Sequence, residues 1–185
     1  LYHHHFAKGY ALGDWQLPAG VSDPALQTTP YHRPPGYPYF LTLVYLVIGS
    51  HPLAIAILQS ILVFASAALA FTLLKKAMGP SSGIYPYLAA TLILYQPTIL
   101  YFEGDRMGTV CAMFTSILGV CTFWKSLESR SHLFGFASGL CFGCGILIRP
   151  NLIFFVGGIL LWRALQIFHL TRVRLPKALQ PRFGL

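Results

Sequence analysis

The stretch LAIAILQSILVFASAALAFTLL, Leu53 to Leu74, runs for 22 residues without a charge and is closed by Lys75 and Lys76. A helix rises about 1.5 Å per residue, so crossing a hydrocarbon core of roughly 30 Å takes about 20 residues. The run therefore has the length and composition of a membrane-crossing helix. Four more apolar runs follow it, Ile84–Phe102, Met107–Trp124, Leu133–Ile148 and Leu152–Leu170. The expected fold is all-α, a polytopic transmembrane helical bundle of about five spans.

Composition points the same way. Of 185 residues, 55% are hydrophobic and 10% charged, with a mean hydropathy of +0.61. A soluble domain carries about 25% charged residues, so this chain cannot cover a globular surface with solvated groups. Its net charge of +8 is spread between apolar runs rather than gathered into one face, which excludes a nucleic-acid partner and suits loops that meet anionic membrane lipid. The four cysteines, Cys111, Cys121, Cys141 and Cys144, lie inside apolar runs. The Cys141-x-x-Cys144 pair has no His or acidic neighbour and reads as small packing residues.

Before the first span the chain is polar and aromatic. Residues 2–12 suit a short helix ended by Gly13-Asp14-Trp15, after which Pro18, Pro24, Pro30, Pro34 and Pro35 forbid a long element. Residues 38–49 are apolar but too short to span, and are expected to form an interfacial or re-entrant helix. The chain thus divides into an outer loop over 1–52, a bundle over 53–170 and a basic tail over 171–185. Pro86 belongs to the first turn of its helix, whereas Pro97 should kink the same helix. Gly135, Gly139 and Gly143 recur every four residues and are read as one packing stripe. The chain starts at Leu1 rather than Met and shows no signal peptide, so the protein is expected to begin further upstream.

Charge sets the orientation. Lys75 and Lys76 follow the first span, Lys125 and Arg130 follow the third, and Arg172, Arg174, Lys177 and Arg182 follow the fifth. Spans ending on the basic side should end in the cytoplasm. The opposite side then receives Asp14, Asp23 and Arg33, the loop of Glu103, Asp105 and Arg106, and the turn Arg149-Pro150-Asn151. Polar chemistry is expected on that outer face. Glu103 or Asp105 is a candidate for holding a metal, an amine or a sugar hydroxyl, or else simply marks a hydrophilic hairpin. Arg149 follows four apolar residues and precedes a proline. That puts a permanently charged fork at membrane-surface depth, suited to a lipid-linked phosphate, with snorkelling to headgroups as the alternative. Arg163 lies deeper in its span and is read as snorkelling. His3, His4 and His5 point about 100° apart on a helix and cannot all ligate one ion. One of them could share a metal with a distant carboxylate, but a solvated or substrate-contacting role is preferred. No serine or cysteine triad, phosphate-binding glycine loop or dinucleotide fingerprint is present.

Four stretches together resemble one family. Arg33-Pro34-Pro35-Gly36-Tyr37-Pro38-Tyr39-Phe40-Leu41, with Tyr45, Gly49 and Gln59, is the most specific. Tyr2-His3 through Ala7 with Gly13-Asp14-Trp15, Tyr95-Gln96-Pro97 with Tyr101-Phe102-Glu103-Gly104, and Leu147-Ile148-Arg149-Pro150-Asn151 occur in the matching order. The set is similar to the dolichyl-phosphate-mannose/aminoarabinose transferase family, glycosyltransferase family 39 with the GT-C fold. The resemblance implies inverting transfer from a polyprenyl-phosphate sugar donor to a protein, lipid or glycan acceptor at the outer membrane face. It implies a multi-pass protein, bacterial inner membrane being the expected setting. It also implies a catalytic Asp shortly before the Tyr-His pair, which would lie upstream of Leu1, so this chain alone is expected to be inactive. Asp14 does not match that position. By the resemblance Arg149 and Arg33 would stabilise the departing lipid phosphate and Glu103 would position a substrate. Tyr37, Asn151 and His3 complete the expected substrate-binding set. A cofactor is not required by the pattern, although a divalent metal remains a candidate. A transporter or flippase subunit, or a non-catalytic membrane scaffold, is the rival reading. A transporter would carry broken helices with polar residues at mid-bilayer depth, and these spans are nearly free of them.

Overall fold

A computed structural model describes residues 2–15, 34–95 and 108–167. Arg33, Glu103, Asp105, Arg106, Pro97 and the basic tail fall outside the described residues. Every regular element among the described residues is helical. These are α1 (Tyr2–Leu12), α2 (Gly36–Ile48), α3 (Pro52–Met78), α4 (Tyr85–Tyr95), α5 (Thr109–Ser129), α6 (His132–Ile148) and α7 (Leu152–Ile167), with a 3₁₀ turn at Gly79–Ser82 after α3.

The apolar runs become helices because nothing inside them interrupts the backbone ladder, and the breaks fall where the sequence supplies a breaker. Pro52 opens α3 in its first turn, where a missing N–H costs nothing. Pro86 does the same for α4 and is buried there. Pro150 ends α6 by forcing its predecessor out of the helical region, so Arg149 is extended at φ −137°, ψ 99°. Gly13 ends α1 at φ +68°, its N–H donating to the Gly9 carbonyl at 3.1 Å, an arrangement a side chain would strain. Trp15 then folds back over His5, Phe6 and Tyr10.

Two helices are long and apolar enough to cross a membrane, α3 with its 3₁₀ continuation and α5. α6 and α7 have 17 and 16 residues, slightly under the full crossing length. The helices alternate in direction. The Lys76 ammonium pairs with Glu128, and Cys121 Sγ meets the Leu69 carbonyl at 3.9 Å, so α3 and α5 run parallel. α6 returns antiparallel along α5. Its Ser138 hydroxyl donates to the Gly119 carbonyl at 2.9 Å, Phe142 covers Gly119, and Gly145 faces Thr115. This corrects the expected glycine stripe. Among the described residues only Gly135 meets a neighbour, Ser126, whereas Gly139 and Gly143 have none within 4 Å. The face that packs on α5 is instead Ser138, Phe142 and Gly145, because these lie on the side turned to α5.

The buried core is small and lies towards one end. Ala7 of α1, Tyr37, Leu41, Val44 and Tyr45 of α2, Ile55 of α3 and Cys111 of α5 form one cluster, with Ile148 of α6 against it. A second, smaller cluster joins Val63 and Val110, and many of the remaining apolar side chains point outward. Val47 is 84% exposed and Phe154 81%, with Leu43, Phe64, Leu92, Phe136 and Leu161 also exposed. A water-soluble protein does not leave so much contiguous apolar surface uncovered. This is an all-α membrane bundle.

Candidate functional site

One open cavity of about 420 Å³ collects His3, Pro34, Tyr37, Gly108, Ile148, Arg149, Pro150 and Asn151. Four of the six residues expected to bind substrate, His3, Tyr37, Arg149 and Asn151, thus share one site although they come from α1, α2 and the α6–α7 turn. Pro34, which follows Arg33, lines it too. Arg33 and Glu103 themselves lie outside the described residues.

The turn that presents Arg149 is built from its own backbone. The carbonyls of Arg149 and Pro150 accept from the N–H groups of Leu152 and Ile153, each at 3.0 Å. Chain direction therefore reverses within three residues, leaving Arg149, Pro150 and Asn151 exposed at the cavity. The guanidinium crosses to α5, where Nη2 donates to the Thr109 hydroxyl at 2.5 Å. A guanidinium has five N–H donors, and among the described residues Thr109 engages one of them.

Beside it lies the N-terminus of α5. Gly108 is the N-cap, and among the described residues no side chain caps that end. The first turn of a helix carries backbone N–H groups without helical partners and the positive end of the dipole. Gly108 and Thr109 were not picked out from sequence. The one available signal was a glycine just after the charged loop, where the apolar run resumes. Their role is tertiary. A Cβ on Gly108 would come within 2.7 Å of Ile148 Cγ2 and 3.0 Å of Tyr37 Cβ. Gly36 is tighter still, its Cβ falling 2.5 Å from the Leu147 carbonyl carbon and 2.6 Å from the Ile148 nitrogen. These two glycines let the starts of α2 and α5 close on the end of α6, which makes the cavity wall.

Tyr37 forms the floor. It is 1% exposed, and Gln59 of α3, fully buried, donates from Nε2 to its hydroxyl at 2.8 Å. His3 meets the Tyr37 ring edge-on at 5.1 Å. The other two histidines diverge, as the helical step requires. His4 Nδ1 is hydrogen-bonded to the Tyr45 hydroxyl at 2.6 Å, and His5 packs on Trp15. Among the described residues no group of three His, Cys, Asp or Glu side chains could hold a metal. The carboxylates considered for that role, Glu103 and Asp105, are outside the described residues.

At the opposite end of the bundle lie Lys76, Glu128, Arg130 and Arg163. The charged side chains are therefore sorted to the two ends, and Arg149 shares its end with His3 and Tyr37.

Residues 32–180 match the family described as dolichyl-phosphate-mannose-protein mannosyltransferase. The match takes in α2 to α7 and the Arg149 turn but begins after α1, so the placement of His3 rests on the cavity itself. No curated protein and no solved structure matches the chain. Since the family match spans most of the residues and all the long helices of an all-α membrane bundle, the chain belongs to the dolichyl-phosphate-mannose-protein mannosyltransferase family of membrane glycosyltransferases.

Proposed function

We propose that this protein transfers a sugar from a polyprenyl-phosphate donor to an acceptor at the outer face of a membrane, and that the Arg149 cavity holds the donor phosphate. The observation that carries this is the meeting of the Arg149 fork with the uncapped start of α5. A guanidinium binds phosphate through paired N–H donors, and a helix N-terminus adds aligned backbone N–H groups to the same anion. The cavity, at about 420 Å³, is within the usual range for a small-molecule site.

In the reaction so read, an acceptor oxygen or nitrogen attacks the anomeric carbon and loses its proton to a base. The bond from that carbon to the phosphate oxygen breaks, and the electron pair leaves on the lipid phosphate. Arg149 meets the charge that gathers there, the position where an electrostatic group accelerates transfer most. Asn151 and His3, which line the same cavity, are assigned to the sugar, and Tyr37 to the cavity floor. Arg33 and Glu103 are assigned to the same site by family likeness, Arg33 to the phosphate and Glu103 to substrate positioning. The acceptor is a protein, lipid or glycan.

The arrangement proposed in the membrane is multi-pass. Residues 1–52 lie on the outer side with α2 at the interface, residues 53–170 form the bundle, and residues 171–185 form a cytoplasmic tail. A bacterial inner membrane with the site facing the periplasm or exterior is the proposed setting. The placement of Lys76, Arg130 and Arg163 away from Arg149 supports it.

The test is transfer from labelled polyprenyl-phosphate sugars by the full-length protein carrying Arg149→Ala. A loss of about 10²–10³ in turnover is expected, with Arg149→Lys in between because a point charge replaces a fork. Unchanged transfer in Arg149→Ala would remove the phosphate assignment.

A further inference from the structure

A second cavity, of about 480 Å³, opens at the basic end, lined by Ser126, Leu127, Arg130, Ser131, His132 and Arg163. It lies between the α5–α6 turn and α7, and belongs to no part of the Arg149 site. Two guanidinium groups from separate elements converge there. Among the described residues neither is in an ion pair. Arg163 donates only to the neutral Gln166 amide oxygen, at 3.2 Å.

The chain has five acidic residues. Among the described residues Asp14 is paired with Lys8 and Glu128 with Lys76, while Asp23, Glu103 and Asp105 lie outside the described residues. Two like charges lining one cavity repel each other, and among the described residues no carboxylate offsets them. A third feature favours an anion. Ser131 is the N-cap of α6 and makes no side-chain cap, so free N–H groups of the first turn lie at the same cavity. Arg130 is also held at φ +50°, a position where glycine would be less strained.

We propose that this cavity binds the phosphate of an anionic phospholipid headgroup. Leu160, Leu161 and Trp162, exposed beside Arg163, offer acyl chains a continuous apolar surface. That favours a lipid over a free anion, and basic pockets between membrane helices are suited to such headgroups. The lipid would clamp α7, whose only substantial helix contact among the described residues is α6.

The full chain in nanodiscs of phosphatidylcholine, with and without phosphatidylglycerol, tests this by native mass spectrometry after delipidation. The wild type is expected to retain phosphatidylglycerol selectively. Arg130→Gln with Arg163→Gln should lower that retention about tenfold or more. Arg130→Gly relieves the backbone, so it should keep the fold and still lose about fivefold. Lys75→Gln, at the same end but outside the cavity, should leave retention within about twofold. Equal retention by the double variant, or an equal loss in Lys75→Gln, overturns the site. Inorganic phosphate in excess, added to the phosphatidylcholine discs, should not raise the thermal midpoint; if it stabilises the chain as phosphatidylglycerol does, the ligand is a free anion and the lipid assignment fails.

Discussion

The two ends of α6 are held in opposite ways. At its C-terminal end the Leu147–Ile148 backbone is in contact with Gly36, Ile148 touches Gly108, and Arg149 is bound to Thr109. At its N-terminal end Ser131 makes no side-chain cap, Gly135 meets among the described residues only the Ser126 hydroxyl, which donates to the Ser131 carbonyl at 3.1 Å, and an open cavity separates the turn from α7. The first end is rigid because backbone meets backbone, which suits a group that must be in place before a charge develops. The second end has polar side chains around an open cavity, which suits the headgroup proposed for it. One helix therefore carries a preorganised site and a compliant one, and the difference comes from which small residues touch main chain.

That contrast can be tested by making the same substitution at both ends. Gly36→Ala should have the largest effect. Its new methyl would lie 2.5 Å from main chain that cannot rotate away, so the wall must part. A loss of about 1–3 kcal/mol is expected, read as a lower thermal midpoint in detergent and a matching fall in transfer. Gly108→Ala should follow closely, since its nearest obstacle is Ile148 Cγ2 at 2.7 Å; pairing it with Ile148→Ala, which removes that methyl, should cost less than the two single losses added together, which would not happen if Gly108 served only the backbone turn. Gln59→Leu removes one partner of the Tyr37 hydroxyl and should cost about 1 kcal/mol. Transfer should fall more than the thermal midpoint suggests, because the cavity floor loosens. An unchanged KM and kcat would mean that Gln59 only fills space. Lys76→Gln breaks an exposed pair and should cost less than about 1 kcal/mol, with the deficit vanishing in high salt. The smallest effect belongs to Gly135→Ala, expected within about 0.5 kcal/mol of wild type by the same thermal assay. If it equals Gly36→Ala, the two ends are not different in kind.

Much of this was legible from residue order. The runs at Leu53–Leu74 and Met107–Trp124 became the two longest helices, extended beyond their apolar limits by Lys75–Met78 and Lys125–Ser129. Snorkelling side chains and the Lys76–Glu128 pair make those extra turns tolerable. The end of α1 at Gly13 and the break at Pro150 were readable because both are properties of a single residue's backbone. The glycine stripe of α6 was misread because periodicity tells which residues share a face but not which face meets a neighbour. Thr109 was missed for a related reason. A hydroxyl at a helix start looks like any N-terminal residue until an arginine forty positions later reaches it.

Residue order and the cost of burying charge are enough to make this chain helical, to place it in a membrane and to sort its ionic groups towards two ends, since each of those outcomes depends on local composition and length. Whether His3, Tyr37, Arg149 and Asn151 would face one another was a matter for the folded chain alone. They are brought together by contacts between segments far apart in sequence, through two glycines without which three helix ends could not approach. Local propensity has no term for such an approach.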